Sequence, residues 1–347
     1  MRAMLRRVNA IPGRTMRGPM TDPHPYAQLT PDVVLGALES VGLRCDGRLL
    51  ALNSYENRVY QVGLDETQPV RFVVAKFYRP ARWSDRAIAE EHELAAALAE
   101  AEIPVVAPLA FDGATLLHSE GFRFAVYPRR GGRAPELEDP ATLEWLGRFI
   151  ARIHAVGATR RFAHRPRLDI ERFGIEPRAF LIASGFIPSD LAQPWKQAAD
   201  LALEAVRHAY ERARGVRDIR VHGDCHVGNV LWAAGPHFVD LDDTCMAPAV
   251  QDLWMLISGD RRSMSQQLGH LLDGYGEFME FDLRELELVE ALRTLRLLHY
   301  SAWLARRWDD PAFPKAFPWF AEPRYWEEHY RALEDQLAAV TGPRLEL

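Results

Sequence analysis

At 347 residues, with 48% apolar and 26% charged side chains, the chain has material for about two domains or lobes. That balance excludes a disordered, collagen-like or coiled-coil chain, and no stretch reaches the roughly 18 charge-free apolar residues of a membrane span. A formal charge of −6 gives no whole-protein case for binding nucleic acid. The first twenty residues carry Arg2, Arg6, Arg7, Arg14 and Arg17 with no acid and no apolar h-region. Residues 1–23 are therefore expected to be a flexible basic tail, or an over-extended start with Met20 as the initiator. From about Asp46 to Tyr78 the pattern is strand-like, with runs at Leu49–Asn53, Asn57–Leu64 and Arg71–Tyr78. Ser84 is placed to cap a helix that runs to about Ala101, where Ile103-Pro104 ends it. Phe122–Tyr127 is a further strand, closed by Pro128 and Gly131-Gly132. Helical apolar spacing then dominates, at Ala141–His154, Pro194–Ala213, Gln251–Leu256 and Leu283–Trp308, interrupted by a β island over Ile219–Asp240. The expectation is an α+β chain of two lobes. A small antiparallel-sheet lobe with one main helix occupies 24–128, a larger and mostly helical lobe occupies 129–347, and Tyr127–Arg133 is the hinge of a cleft between them.

The sharpest local pattern is His222-Gly223-Asp224-Cys225-His226-Val227-Gly228-Asn229, followed by two short apolar strands around Ala233-Ala234-Gly235-Pro236. A hairpin centred on that four-residue turn sets Asn229 directly opposite Asp240, with Cβ atoms roughly 5 Å apart. An amide oxygen and a carboxylate so placed suit one hard cation, and Mg²⁺ keeps waters and phosphate oxygens in its other positions. Asp224, five residues before Asn229, can accept or orient a hydroxyl proton beside that ion. An Asp, then a metal Asn, then a metal Asp after a short hairpin is the kinase arrangement for phosphoryl transfer. Gly223 and Gly228 are expected to supply tight φ angles near phosphates. The plainer readings are an inert polar turn, or zinc on His222, Cys225 and His226, a set without a clear fourth ligand. With no CxxC spacing among Cys45, Cys225 and Cys245, the expectation is packing thiols and a reducing cytoplasm.

In the smaller lobe, Phe72, Val74 and Lys76 share one strand face. A lysine on a buried face needs a partner. On the helix that follows, with Ile88 set at zero, Ala95, Glu91 and Leu98 fall at about −20°, −60° and −80°. Glu91 therefore lies in the apolar stripe as the partner of Lys76, while Glu90 and Glu93 point elsewhere. The alternative is a snorkelling Lys76 and a Glu91 at a solvated helix edge. Where a glycine-rich loop would cover phosphates, the chain has Asn53-Ser54-Tyr55-Glu56-Asn57-Arg58, whose Ser54 and Asn57 can bond phosphates or simply close an ordinary hairpin. Neither GxGxxG nor GxxxxGKS is present, so Rossmann and P-loop readings lose their support.

Taken together, LNSYENRVYQV, VVAKFYRPARW, HGDCHVGNVLW and FVDLDD…PAVQDLWML closely resemble the bacterial stress response kinase A family. That family belongs to the aminoglycoside phosphotransferase and choline kinase branch of the protein-kinase-like fold. The resemblance runs from about His24 to about Leu333. It implies a cytoplasmic serine/threonine protein kinase, dependent on ATP and Mg²⁺, able to phosphorylate itself and expected to be a monomer. By position, Asp224 matches the catalytic aspartate, and Asn229 and Asp240 match the magnesium ligands, with Asp240 also an active-site residue. Ser54 matches the ATP-contacting loop position, and Lys76 and Glu91 match the superfamily's lysine–glutamate pair. Tyr127 and Pro128 are expected to offer backbone groups to adenine, and Asp252 to brace the catalytic loop. Two features depart from eukaryotic-type protein kinases. Gly223 stands where an arginine would pair with a phosphorylated activation loop, and the segment from Asp240 to Asp252 leaves little room for peptide docking. A small-molecule hydroxyl kinase and a nucleotide-binding scaffold without turnover are the alternatives.

Overall fold

The computed structural model describes residues 24–347, and the basic tail expected over 1–23 lies outside the described residues. Thr30 caps the first helix, α1 (Pro31–Glu39), with Pro31 at its first turn. Five strands follow: β1 (Cys45–Ala51), β2 (Arg58–Leu64), β3 (Phe72–Phe77), β4 (Leu117–Ser119) and β5 (Phe122–Pro128). They form one antiparallel sheet in the order β1-β2-β3-β5-β4. Between β3 and β4 lies α2 (Asp85–Glu100), and the Ser84 hydroxyl accepts from Ala87 N at 3.2 Å, a cap worth about 1 kcal/mol.

Alternation along β3 divides its duties. Val73, Ala75 and Phe77 pack with Val34 and Leu38 of α1 in the core of the sheet's outer side. Val74 and Lys76 face the cleft. Leu94 and Leu98 of α2 join the larger core together with Leu146 and Ile150 of α3 (Pro140–Gly157), so this helix rests on both parts of the molecule.

The rest is mostly helical: α4 (Glu176–Ser184), α5 (Ala192–Arg212), α6 (Arg261–Tyr275), α7 (Val289–Arg306), α8 (Ala312–Ala316) and α9 (Pro323–Thr341). Among the described residues no helix is long and apolar enough to cross a membrane. Two expected helices are different in kind. Gln251–Leu256 becomes two 3-10 turns after Pro248, because the Gln251 and Asp252 side chains hold the loop at Gly223. Leu283–Leu288 is a 3-10 segment, and the regular helix starts only at Val289.

The β island contains β6 (Ile219–Val221), β7 (Val230–Trp232), β8 (Pro236–Phe238) and β9 (Cys245–Ala247). β6 pairs with β9, and β7 pairs with β8 in a register one residue away from the expected one. Val230 faces Phe238 and Trp232 faces Pro236, so the turn holds three residues, with Gly235 at φ 144°. Pro236 belongs to the strand and not to the turn. Asn229 therefore sits across from Val239, whose N–H donates to its carbonyl at 3.0 Å, and not across from Asp240. The segment after α2 clamps this hairpin, since Phe238 N donates to Pro104 O at 2.8 Å and Val106 N to Phe238 O at 3.1 Å.

Candidate active site

Backbone strain corrects the one-residue slip. Asp240 adopts φ 60°, ψ 63°, a left-handed conformation uncommon outside glycine but tolerated best by Asp and Asn. The chain thereby turns at the end of the hairpin and enters the 3-10 turn Leu241–Asp243. Asp240 keeps a side chain 55% exposed, opening on the same cleft as Asn229. The Asn229 amide donates through Nδ2 to Asp224 O at 2.9 Å. That bond fixes the amide orientation and frees its oxygen for another partner. Gly223 is required where it stands. Its φ is 87°, and a Cβ there would collide with the Asp243 carbonyl. Gly228, by contrast, has no left-handed φ; it is needed for the close approach of the His226 ring.

The catalytic-loop segment is held from behind. Asp252 accepts from His222 N at 2.7 Å and Gly223 N at 2.8 Å, and is itself 3.0 Å from His154 Nε2. His222 Nε2 lies 2.9 Å from Val239 O, tying the loop to the far end of the hairpin. Asp224 emerges from this support with Oδ1 2.7 Å from Arg296 Nη1 of α7. Burial pulls its pKa up, but the His226 hydrogen bond and the charges of Arg296, His226 and His222 outweigh it and hold the carboxyl well below the usual carboxylate range. Cys225 and Cys245 are buried, and burial pushes both thiols well up, the opposite of activated nucleophiles.

Lys76 is 5% exposed and sits among three carboxylates: Glu91 Oε1 at 3.2 Å, Asp242 Oδ1 at 3.0 Å and Asp240 Oδ1 at 3.3 Å. Burial alone would lower its pKa, yet Asp242, Glu91 and Asp240 hold the ammonium well above its ordinary value. The far oxygen of Glu91 accepts from Arg165 Nη2 at 2.6 Å. Sequence reasoning missed Arg165, and it missed what places it. Glu90, set aside as pointing elsewhere, accepts from the N–H groups of Ala163, His164 and Arg165 at 2.6, 2.9 and 2.9 Å. Arg82 was missed as well; it pairs with Asp242 and with Asp243, pinning the turn that follows Asp240.

Two cavities meet at this centre. The smaller, about 360 Å³, lies between the sheet and the hairpin, roofed by Leu52, Val59 and Val74 and floored by Leu231 and Val239. Lys76, Glu91 and Tyr127 also line it. The larger, about 610 Å³, lies against α7 and contains Asp224. Ser54, Asn229 and Asp240 border both. Ser54 Oγ donates to Asn57 O at 3.2 Å. Asn57 is buried, with its amide oxygen accepting from Arg79 N at 3.1 Å, and it borders only the larger cavity. The loop of residues 53–58 is anchored across the cleft: Glu56 pairs with Arg307 Nη2 at 3.0 Å and with the Trp303 indole N–H of α7. Arg58 and Arg79 reach Asp310 just beyond that helix, at 3.2 and 2.9 Å.

Asn229 and Asp240 supply hard oxygen donors, the type Mg²⁺ takes. Among the described residues no cluster of three or more His, Cys, Asp or Glu is arranged to hold a metal, so zinc on the HxxCH segment finds no support. A pair of oxygen ligands facing a cleft fits an ion that completes its shell with water and phosphate.

A five-strand antiparallel sheet set over a helical body, with two cavities meeting at an Asp/Asn/Asp centre, is the protein-kinase-like architecture. Residues 48–298 match the sequence profile of the phosphotransferase enzyme family. Stress response kinase A of Escherichia coli strain K12 is 45% identical over 322 residues, spanning 93% of this chain and 97% of that protein. The serine/threonine protein kinase RdoA of Salmonella typhimurium is 43% identical over 322 residues, with the same shares, 93% and 97%. Among solved structures, a microcompartment-associated aminopropanol kinase superposes with a TM-score of 0.67 at 21% identity, covering 91% of this chain and 100% of that one. Amicoumacin kinase hAmiN superposes with a TM-score of 0.67 at 18% identity, covering 88% and 93%. The chain belongs to the phosphotransferase enzyme family, and within it to the stress response kinase A proteins.

Proposed function

We propose that the protein is an ATP- and Mg²⁺-dependent serine/threonine protein kinase that also phosphorylates itself, acting in stress survival as a cytoplasmic monomer. Residues 24–128 would cover the nucleotide and residues 129–347 would carry the catalytic loop. Adenine enters the smaller cavity against the backbone at Tyr127 and Pro128. Lys76, braced by Glu91, meets the α- and β-phosphates, and the Ser54 loop closes over them. Asn229 and Asp240 hold Mg²⁺, which when bound neutralises charge on the phosphates; Asp240 also counts as an active-site residue.

Asp224 is ionised and accepts or orients the proton of the acceptor hydroxyl. The acceptor oxygen forms a bond to the γ-phosphorus, the bond to the bridging oxygen breaks, and ADP leaves. One observation carries this reading: the two cavities touch only around Ser54, Gly228, Asn229 and Asp240 with their neighbour Asn53, while Asp224 lies on the acceptor side alone. The kinship with a serine/threonine protein kinase at 43% identity supports a protein acceptor.

A second reading, a small-molecule hydroxyl kinase, is supported by the stretch after Asp240. A 3-10 turn and β9 take it up, leaving no long docking segment before Asp252. The solved neighbours named above are kinases of small molecules by name. Incubation with γ-labelled ATP and Mg²⁺ separates the two. Label on the protein and on added protein substrates is the expected result. Label only on members of a metabolite panel establishes the second reading, and no transfer to either rejects both.

A further inference from the structure

The acceptor cavity has an unusual wall. Arg296, His299, Tyr300, Trp303 and Arg306 recur at helical spacing along α7, and all border it. Arg172, on the π-turn Glu171–Ile175 before α4, borders it as well. Among the described residues neither Arg172 nor Arg306 has a carboxylate within ion-pair distance, and Arg306 rests on the Phe180 ring at 4.9 Å. Glu176, whose field reaches Arg306, forms no ion pair with it. Among the described residues the acidic partner of Arg296 is Asp224, at 2.7 Å.

The field of these guanidiniums registers on His299, which stacks on Phe173 at 4.4 Å with a buried Nδ1 that has no hydrogen-bond partner. Burial first, and then Arg306, Arg296, Arg82 and Arg172, push its imidazole down to about 4; the strongest charges acting on it are all cationic. The other arginines of this cavity, Arg82 and Arg307, are already matched by Asp242, Asp243 and Glu56.

Building on the protein-kinase reading above, we propose that this wall selects an acceptor hydroxyl flanked by negative charge, carried on an acidic polypeptide segment, and rejects cationic acceptors. Guanidinium forks match carboxylates in a planar, two-bond geometry. Arg296 also covers the Asp224 oxygen that an incoming hydroxyl would address. A carboxylate on the acceptor offers that guanidinium a new partner and uncovers Asp224 as the hydroxyl arrives. An amine seated against this wall would be repelled by Arg172, Arg296 and Arg306; the exposed carboxylates that also border the cavity, Asp240 and Asp243, belong to other elements.

The test uses the full chain and fluorescent peptides bearing one serine flanked either by Asp/Glu or by Lys/Arg, with a free hydroxy acid as a third arm. Binding is read by anisotropy with a non-hydrolysable ATP analogue and Mg²⁺, and turnover as kcat/KM with ATP. The acidic peptide should win by at least about tenfold in both, a difference that one or two charge pairs readily supply. Arg172→Gln/Arg306→Gln should bring the ratio toward one, and Arg172→Glu/Arg306→Glu should reverse it. Equal use of both peptides, or a ratio unmoved in folded variants, overturns the proposal while leaving the kinase reading intact. Acidic binding that reverses in the variant with no phosphate transferred supports the wall and rejects the kinase reading. Binding of the free hydroxy acid alone overturns the polypeptide segment in favour of a small anionic acceptor.

Discussion

The two cavities that meet at Asp240 differ in how far their charges are matched within the protein. Around the smaller one Lys76, Glu91 and Asp240 are matched within a closed set: Lys76 with Glu91, Asp240 and Asp242, Glu91 with Arg165, and Asp242 with Arg82, while Arg130, which also lines it, stands outside that set. Leu52, Val59, Val74, Val106, Leu231, Val239 and Leu241 give it a largely aliphatic roof and floor. Along the larger one, Arg172 and Arg306 have no acidic partner among the described residues, and Arg296 borrows Asp224. Charges satisfied within the protein fix a geometry and recognise nothing further. Charges left open at a cavity wall define what can enter.

This contrast can be broken experimentally, beginning at the junction. Asp224→Ala should lower kcat by roughly 10²–10⁴-fold while nucleotide affinity, measured by calorimetry, stays within about twofold; retained turnover would remove the catalytic loop from the reaction. If Asp240 is one of two protein ligands to Mg²⁺, as proposed, Asp240→Ala should abolish the dependence of nucleotide affinity on Mg²⁺ and lower kcat by about 10²-fold. Affinity that still rises on adding Mg²⁺ would place the ion elsewhere.

Within the closed set, Glu91→Ala leaves Lys76 and Arg165 buried without their shared carboxylate. The expected cost is about 3 kcal/mol in denaturant unfolding, and Glu91→Gln should recover part of it. A loss below about 1 kcal/mol would mean that Asp242 and Asp240 satisfy the lysine without Glu91. Ala95→Leu narrows the smaller cavity and should raise the nucleotide KM by about tenfold, a loss typical of overpacking, leaving acceptor affinity untouched; movement of both would deny that the cavities are separate. The smallest effect concerns pH. Burial and the surrounding arginines push His299 down to about 4, so it is neutral above that value; in an Asp243→Asn background, which removes the cavity carboxylate that burial pushes up to about 6, acceptor affinity should be flat from about pH 5.5 to 8. A rise on acidification through pH 6.5 would show that the imidazole is not held down.

Local signals carried much of this molecule. The Ser84 cap, the cleft face of β3 and the position of Glu91 in the α2 stripe all follow from spacing within one element, and the structure agrees with each. The hairpin residues were legible, but their register was not. A proline reads as turn chemistry, while here Pro236 pairs with Trp232 and the turn is one residue shorter. The left-handed Asp240 compensates for this, and no periodicity announces it. What stayed hidden was non-local. Arg165, in the loop after α3, reaches Glu91 of α2, and Arg296 of α7 reaches Asp224 in the loop after β6, through contacts between segments far apart in the chain. Helices α6 and α9 escaped as well, their buried positions being mixed with Ser, Gln, Gly and His.

The anchoring of the loop at Glu56 carries a mechanical consequence. The helix that presents Arg296 and Arg306 to the larger cavity also supplies Trp303, which, with Arg307 just past its end, grips the loop of residues 53–58 through Glu56. On the proposed reading both co-substrates would lean on this one helix, so a tilt that admitted the acceptor would be transmitted to the loop over the nucleotide.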